Sequence, residues 1–234
     1  MNIEISPRKV FKGLLYIILF LVCANVFGIV SKFFFDHGRL YGLIPAFDLD
    51  TEGNIPTLFS TLLLFTSSSI LFFIALQHKK HNASFVPWIG LSLIFLFLGF
   101  DEIAAFHEKI SGPLKDLLNT SGIFYYAWVL PYGSLLLIFV VSYWKFLTRL
   151  PKKIMRLFIY SGAIYVGGAF GFELLGGWEA DVFGGNTLMY AISYTIEETL
   201  EMVGISLFIY TLLTYIVSQF ESLTINITED RKLS

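Results

Sequence analysis

A chain of 234 residues that is 56% hydrophobic, holds 25 phenylalanines and has a mean hydropathy of +0.71 is too apolar to bury its side chains inside one soluble domain. Its formal net charge of -2 hides an asymmetry in which one side is acidic and lacks the basic footprint of a nucleic-acid binder. A single cysteine, Cys23, excludes an internal disulfide and a thiolate metal cluster.

Apolar windows of about 20 residues, the length that crosses roughly 30 Å of hydrocarbon, recur near 11–35, 55–77, 86–107, 123–147, 155–176 and 188–218. Short links join them, which predicts one transmembrane domain over 1–234: an all-α, polytopic, compact bundle of about six transmembrane helices. The first window follows Arg8, Lys9 and Lys12. Its apolar run is too long for a signal peptide and no small-residue cleavage site follows, so it is expected to stay as a helix.

Residues 36–57 read as an external loop whose apolar centre, Leu40 to Phe47, lies along the membrane surface. Inside it DLDTEGN sets Asp48, Asp50 and Glu52 at alternate positions before Gly53, like the first half of a calcium loop. The twelfth position is Phe59, which excludes an EF-hand and leaves Asp48 and Asp50 as candidate lid ligands. Asn54 followed by Pro56 predicts a capped start for the second helix. Pro131 predicts a kink in the fourth and a freed carbonyl around Ala127. In the fifth, Ala163, Gly167 and Gly171 recur every four residues and predict a close packing face.

Assigning the cations to alternate sides of this topology leaves only Lys32, Arg39, Lys109 and Lys115 on one side. The other side collects Arg8, Lys9, Lys12, Lys79, Lys80, Lys145, Arg149, Lys152, Lys153, Arg156, Arg231 and Lys232. The positive-inside rule then places both termini in the cytoplasm of a bacterial inner-membrane protein, with the basic residues against anionic headgroups. Among the acids, only Glu4, Glu221, Glu229 and Asp230 fall on that side.

The remaining acids lie outside or in the outer halves of the helices. At 100° per residue Asp101 and Glu108 are about 20° apart, with the small Ala104 and Ala105 between them. His107 flanks that stripe, and Glu102 points away as a helix-end charge. Tyr194, Glu197, Glu198 and Glu201 share a sector of about 100° on the last helix, and Glu173 reaches a similar level on the fifth. So many carboxylates in low dielectric must share protons or hold a metal ion.

His78 and His81 lie on the opposite side from His37 and His107, so a three-histidine zinc site is excluded. A carboxylate-rich site with one imidazole favours iron, manganese, calcium or magnesium. The expected ligands are Asp101, His107, Glu173, Glu197 and Glu201, with Asp48 and Asp50 from the loop. Ferritin-like di-iron bundles use comparable glutamates on facing helices, but their Glu-x-x-His is absent here.

Taken together, FDLDTEGNIPT, FLGFDEIAAFHE, GFELLGG and IEETLEMVG resemble a group of multipass bacterial membrane proteins to which no activity is attached. Glu197 and Glu198 also resemble the Glu-Glu pair of CAAX-type membrane glutamate proteases. The Arg that follows that pair and the second histidine are missing, and the site would face the wrong side.

The sequence thus predicts a metal-dependent enzyme acting on a lipid or other apolar substrate, with membrane lipids as partners and no nucleic acid. Glu198 or Glu108 would be the general base, Tyr194 would orient it, and Phe100, Phe106 and Phe124 would wall the substrate. A cation or proton transporter using the same acids is the alternative, weakened by an inner half without Asp, Glu or His on any helix. A non-catalytic sensor or assembly subunit is a third reading.

Overall fold

The structure, a computed structural model, describes residues 6–220. Glu4, Glu221, Glu229, Asp230, Arg231 and Lys232 of the charge assignment lie outside the described residues. Every regular element among the described residues is helical. Six stretches are long and apolar enough to cross a membrane: Pro7–Phe35, Ile55–Lys80, Val86–Ala104, Val129–Arg149, Lys152–Phe183 and Leu188–Gln219. The chain is a polytopic helical membrane protein, as its apolar windows predict.

Helix α1 (Pro7–Phe35) ends in a left-handed Asp36, and after a 3-10 turn the short α2 (Leu43–Phe47) follows. Tyr41 and Leu43 project outward here, while Ile44 sits over Gly28 and Phe47 meets Phe20 edge-on. Helix α3 (Ile55–Lys80) starts as expected: the Asn54 side chain accepts from the Thr57 N–H at 3.2 Å, with Pro56 in the first turn.

The third span is shorter than its apolar pattern. Helix α4 (Val86–Ala104) stops at Ala105, which is left-handed (φ 49°, ψ 47°), and α5 (Phe106–Leu118) leaves in a new direction. Side chains compete for the helical bonds at this point. Asp101 Oδ1 accepts the His107 N–H at 3.1 Å, and Lys109 Nζ donates to the Ala104 carbonyl at 2.6 Å. The common stripe of Asp101 and Glu108 on one continuous helix is therefore corrected, because the two residues belong to different helices.

Helix α6 (Val129–Arg149) starts later than its apolar window, so Pro131 falls in the first turn and causes no kink. The Ala127 carbonyl is not orphaned; it accepts the Leu130 N–H at 3.2 Å. Helix α7 (Lys152–Val166) runs through a π-helical turn, Gly167–Phe172, into α8 (Glu173–Phe183), and α9 (Leu188–Gln219) completes the bundle.

The α7–α9 contact uses other small residues than expected. Gly167 and Gly171 have open space where a Cβ would stand, and Ala163 is exposed. At Gly168, by contrast, a Cβ would come within 2.7 Å of the Glu197 carbonyl, and at Gly204 within 2.7 Å of the Tyr165 backbone nitrogen. The π turn adds a residue to the helical repeat and rotates the face by about 100°.

Two apolar clusters fill the interior. Trp88, Leu71, Ile74, Phe158, Phe208, Leu212 and Tyr215 pack at the basic end, where His78 meets the Tyr215 hydroxyl at 2.8 Å; α3 runs on to Lys80, so His78 lies on a helix there and corrects the expectation of an inner half without histidine. Leu63, Leu64, Met202, Ile205, Ile209, Ile18 and Leu21 occupy the middle, and Leu49 joins them from the 48–54 loop. Buried Asn25 holds that loop in place: its Oδ1 accepts the Leu49 N–H at 3.1 Å and its Nδ2 donates to Thr195 at 2.9 Å.

Candidate functional site

A cavity of about 490 Å³ opens at the acidic end above the middle cluster. Nine acids line it: Asp50, Glu52, Asp101, Glu102, Glu108, Glu173, Glu197, Glu198 and Glu201. His107 is its imidazole and Lys115 its cation, and Tyr125, Tyr126, Trp128, Tyr132, Tyr165, Tyr190 and Tyr194 supply aromatic walls. The 48–54 loop, α4, α5, the 122–128 segment, the π turn, α8 and α9 all contribute to these walls.

The best-defined group is built around Asp101, which is buried. Oδ1 accepts from the Tyr132 hydroxyl at 2.9 Å and from the His107 N–H, and Oδ2 meets His107 Nδ1 at 3.1 Å. This contact leaves Nε2 as the free nitrogen of the ring. Trp128 packs edge-on against His107, with centroids 4.9 Å apart, and donates Nε1–H to Glu173 at 2.6 Å. A carboxylate behind an imidazole in this way orients it and raises its basicity.

Glu52 and Glu108 converge on the same imidazole. One ligand atom from each of Glu52, His107 and Glu108 lies within 4.8 Å of the others, so this Glu/His/Glu group could hold a metal ion. One Glu52 oxygen is buried without a hydrogen-bond partner among the described residues, so its lone pairs would be satisfied by an ion or a donor.

Deeper in the cavity, Glu173 and Glu197 come within hydrogen-bonding reach of each other, and Glu201 within reach of the Tyr165 hydroxyl. Glu102 stands among Glu198, Glu52 and Asp101 rather than in the headgroup layer, which corrects its reading as a solvated helix end. Its place depends on α4 stopping at Ala105, which leaves both Asp101 and Glu102 facing inward in the last turn.

Most of the expected site residues meet here. Asp101, His107, Glu108, Glu173, Glu197, Glu198, Glu201, Tyr194 and Asp50 all line the cavity. Asp48 does not; its Oδ1 accepts the Asp50 N–H at 3.1 Å inside the loop. Tyr194 stands beside Asp48 and Asp50. Phe100, Phe106 and Phe124 are exposed on the outside of the bundle, and Phe170 is the phenylalanine that lines the cavity. Glu52, Tyr132, Trp128, Tyr165 and Lys115 were not foreseen as site residues. Glu52 alone carried a signal, its place in the DLDTE repeat.

Outside the membrane spans the electrostatics are lopsided. Burial raises the Glu52 carboxyl to about 7, with the Glu108 charge adding and His107 opposing. Burial also raises Asp50 to about 6, with the Tyr190 hydroxyl opposing and the Asp48 charge adding, although Asp50 keeps contact with solvent. Burial alone would lower His107, but the hydrogen bond and charge of Asp101, with Glu52 and Glu108, hold it above its ordinary value.

All three groups bind protons more tightly in the folded state than in the unfolded one, so stability must fall as pH rises. The carboxylate penalty develops between the ordinary carboxyl values, 3.8 and 4.5, and about 6 to 7. The His107 contribution is complete below 6.5 and disappears above it. Thermal unfolding of metal-free protein in detergent is thus expected to show a midpoint that declines from pH 5 to pH 8. A midpoint that rises over this range would contradict the burial of these acids.

Fold and cavity together define a helical membrane protein with a carboxylate-rich pocket near one end of its bundle. The chain belongs to the family described as domain of unknown function DUF8692, which matches residues 13–216. No curated protein and no solved structure matches it.

Proposed function

We propose that the chain is a metal-dependent enzyme of the bacterial inner membrane that acts on a lipid or other apolar substrate at its external, acidic end. The convergence of Glu52, His107 and Glu108 within 4.8 Å, with Asp101 holding the ring from behind, carries this reading. A set of carboxylates with one imidazole suits iron, manganese, calcium or magnesium. Glu173, Glu197 and Glu201 form a second group of donors deeper in the same cavity.

The cavity is far larger than one ion needs, which leaves room for a substrate against Phe170, Trp128 and the tyrosines. In this reading Glu198, which lines the same cavity, takes a proton from substrate or water. Glu108 is assigned to ion binding in this reading rather than to base catalysis.

Catalysis is preferred to transport because the cavity has an apolar floor. Met202, Ile205, Leu64 and Ile209 fill the bundle beneath Glu201, followed by the Trp88 cluster. Buried hydroxyls at Ser60, Thr61 and Ser206 lack partners among the described residues and are what a proton path would use. They are the observation that keeps the transport reading alive.

The test is metal analysis of detergent-purified protein, wild type beside His107→Ala, Glu197→Gln and Glu201→Gln. Stoichiometric metal in the wild type is expected, lost in His107→Ala and reduced in the glutamine variants. Absence of metal from the wild type, or its persistence in all three variants, would sink the proposal. Cation flux in proteoliposomes that disappears in Glu197→Gln would favour transport instead.

A further inference from the structure

Helix α5 has two opposed faces. At 100° per residue the cavity-lining positions His107, Glu108, Ser111, Gly112 and Lys115 centre about 160° from Phe106, Ile110, Pro113 and Leu117. The second set is exposed: Phe106 at 47%, Ile110 at 38% and Leu117 at 75%. A stripe of this kind in water would be a costly exposed apolar patch.

Its surroundings identify what covers it. Helix α4 is a membrane span, and only Ala105 separates its last residue from α5, so α5 begins at the depth where that span ends. The lipid-facing side of α4 leads into the stripe through Phe100 and Ile103, both more than half exposed. The exposed Lys109 and Asp116 lie on the flank between the two faces. At the far end Lys115 Nζ lies over the Tyr125 ring, 3.2 Å from its centroid, and ties α5 to the 122–125 segment.

We propose that α5 is an interfacial helix that forms the side wall of the cavity, its stripe of Phe106, Ile110 and Leu117 resting in the acyl chains of the adjacent leaflet. One helix, about 10 Å thick, then separates the acids from lipid. An amphiphile in that leaflet has its head at cavity level and has only to pass the edge of α5 to enter. The substrate class implied is therefore a membrane amphiphile, which deepens the enzymatic reading and rests on it. The placement of α5 in the bilayer does not.

The test is site-directed spin labelling in a Cys23→Ser background reconstituted in liposomes of phosphatidylethanolamine and phosphatidylglycerol. Phe106→Cys, Ile110→Cys and Leu117→Cys are compared with Asp116→Cys for collision with oxygen and with a nickel chelate. Oxygen-dominated relaxation at the first three and nickel-dominated relaxation at Asp116→Cys is the expected result.

Nickel-dominated relaxation at Ile110 and Leu117 would place the stripe in water and overturn the proposal. So would labels shielded from both reagents, which would mean a protein partner or a second copy. Metal content of the same preparations separates the two ideas. An oxygen-accessible stripe on protein without metal leaves the wall in place and removes the enzyme, whereas bound metal with a wet stripe does the reverse.

Discussion

Asp101→Asn is expected to weaken binding of a divalent ion at the Glu52–His107–Glu108 group by roughly 10–100-fold, the usual effect of losing the residue that orients a histidine ligand. Asn keeps the shape of Asp, so Oδ1 still accepts from Tyr132 and from the His107 N–H, and the break at Ala105 survives. Oδ2 becomes an amide that donates toward Nδ1, which forces the ring proton onto Nε2, the nitrogen an ion would need. Tyr132→Phe removes one of the three hydrogen bonds to Asp101 without altering the tautomer and should cost far less.

Calorimetric ion titration of the purified variants, with nitrogen NMR of the His107 ring, reads both effects. Wild-type affinity in Asp101→Asn, or an unchanged tautomer, would show that Asp101 does not position the ring.

The second large effect is expected from Gly204→Val. A Cβ at Gly204 would lie 2.7 Å from the Tyr165 nitrogen and 2.9 Å from its Cα, both backbone atoms that can move only if α7 and α9 separate. Overpacking of this kind costs about 1–3 kcal/mol and sometimes more. Because Tyr165 is the neighbour of Glu201 on the cavity floor, parting the helices also dismantles the deep half of the site.

Thermal unfolding in detergent should show a clear loss for Gly204→Val and little change for Gly162→Val, where the Cβ position is open and faces outward. Equal losses in both variants would mean that valine is simply unwelcome in these helices and that the Gly204 contact is nothing special.

The six spans and the clustering of acids toward one end were legible because both depend on properties that sum along the chain. Hydropathy over about 20 residues and the alternation of connecting loops need no knowledge of neighbours. The start of α3 was equally readable, since Asn54 caps its own helix through a bond three residues away.

Three features needed the folded bundle. The break at Ala105 arises where the Asp101 carboxylate and the Lys109 ammonium outcompete the helix for its own N–H and C=O groups, and no periodicity announces it. Glu102 then faces inward although its pattern suggested a solvated end. The π turn at Gly167–Phe172 moved the close α7–α9 contact from Gly167 and Gly171 to Gly168 and aimed Glu173 at Trp128.

By itself, then, the sequence determined that this is a multi-span helical membrane protein with its acids gathered near one end. Only the tertiary structure decided that Glu52 and Glu108 meet His107 in front of Asp101. Those four side chains come from a loop and two helices, and the directions of α4 and α5 diverge at one left-handed residue. Helical periodicity describes a face only as long as the helix continues, and the site lies where two of the helices stop being regular.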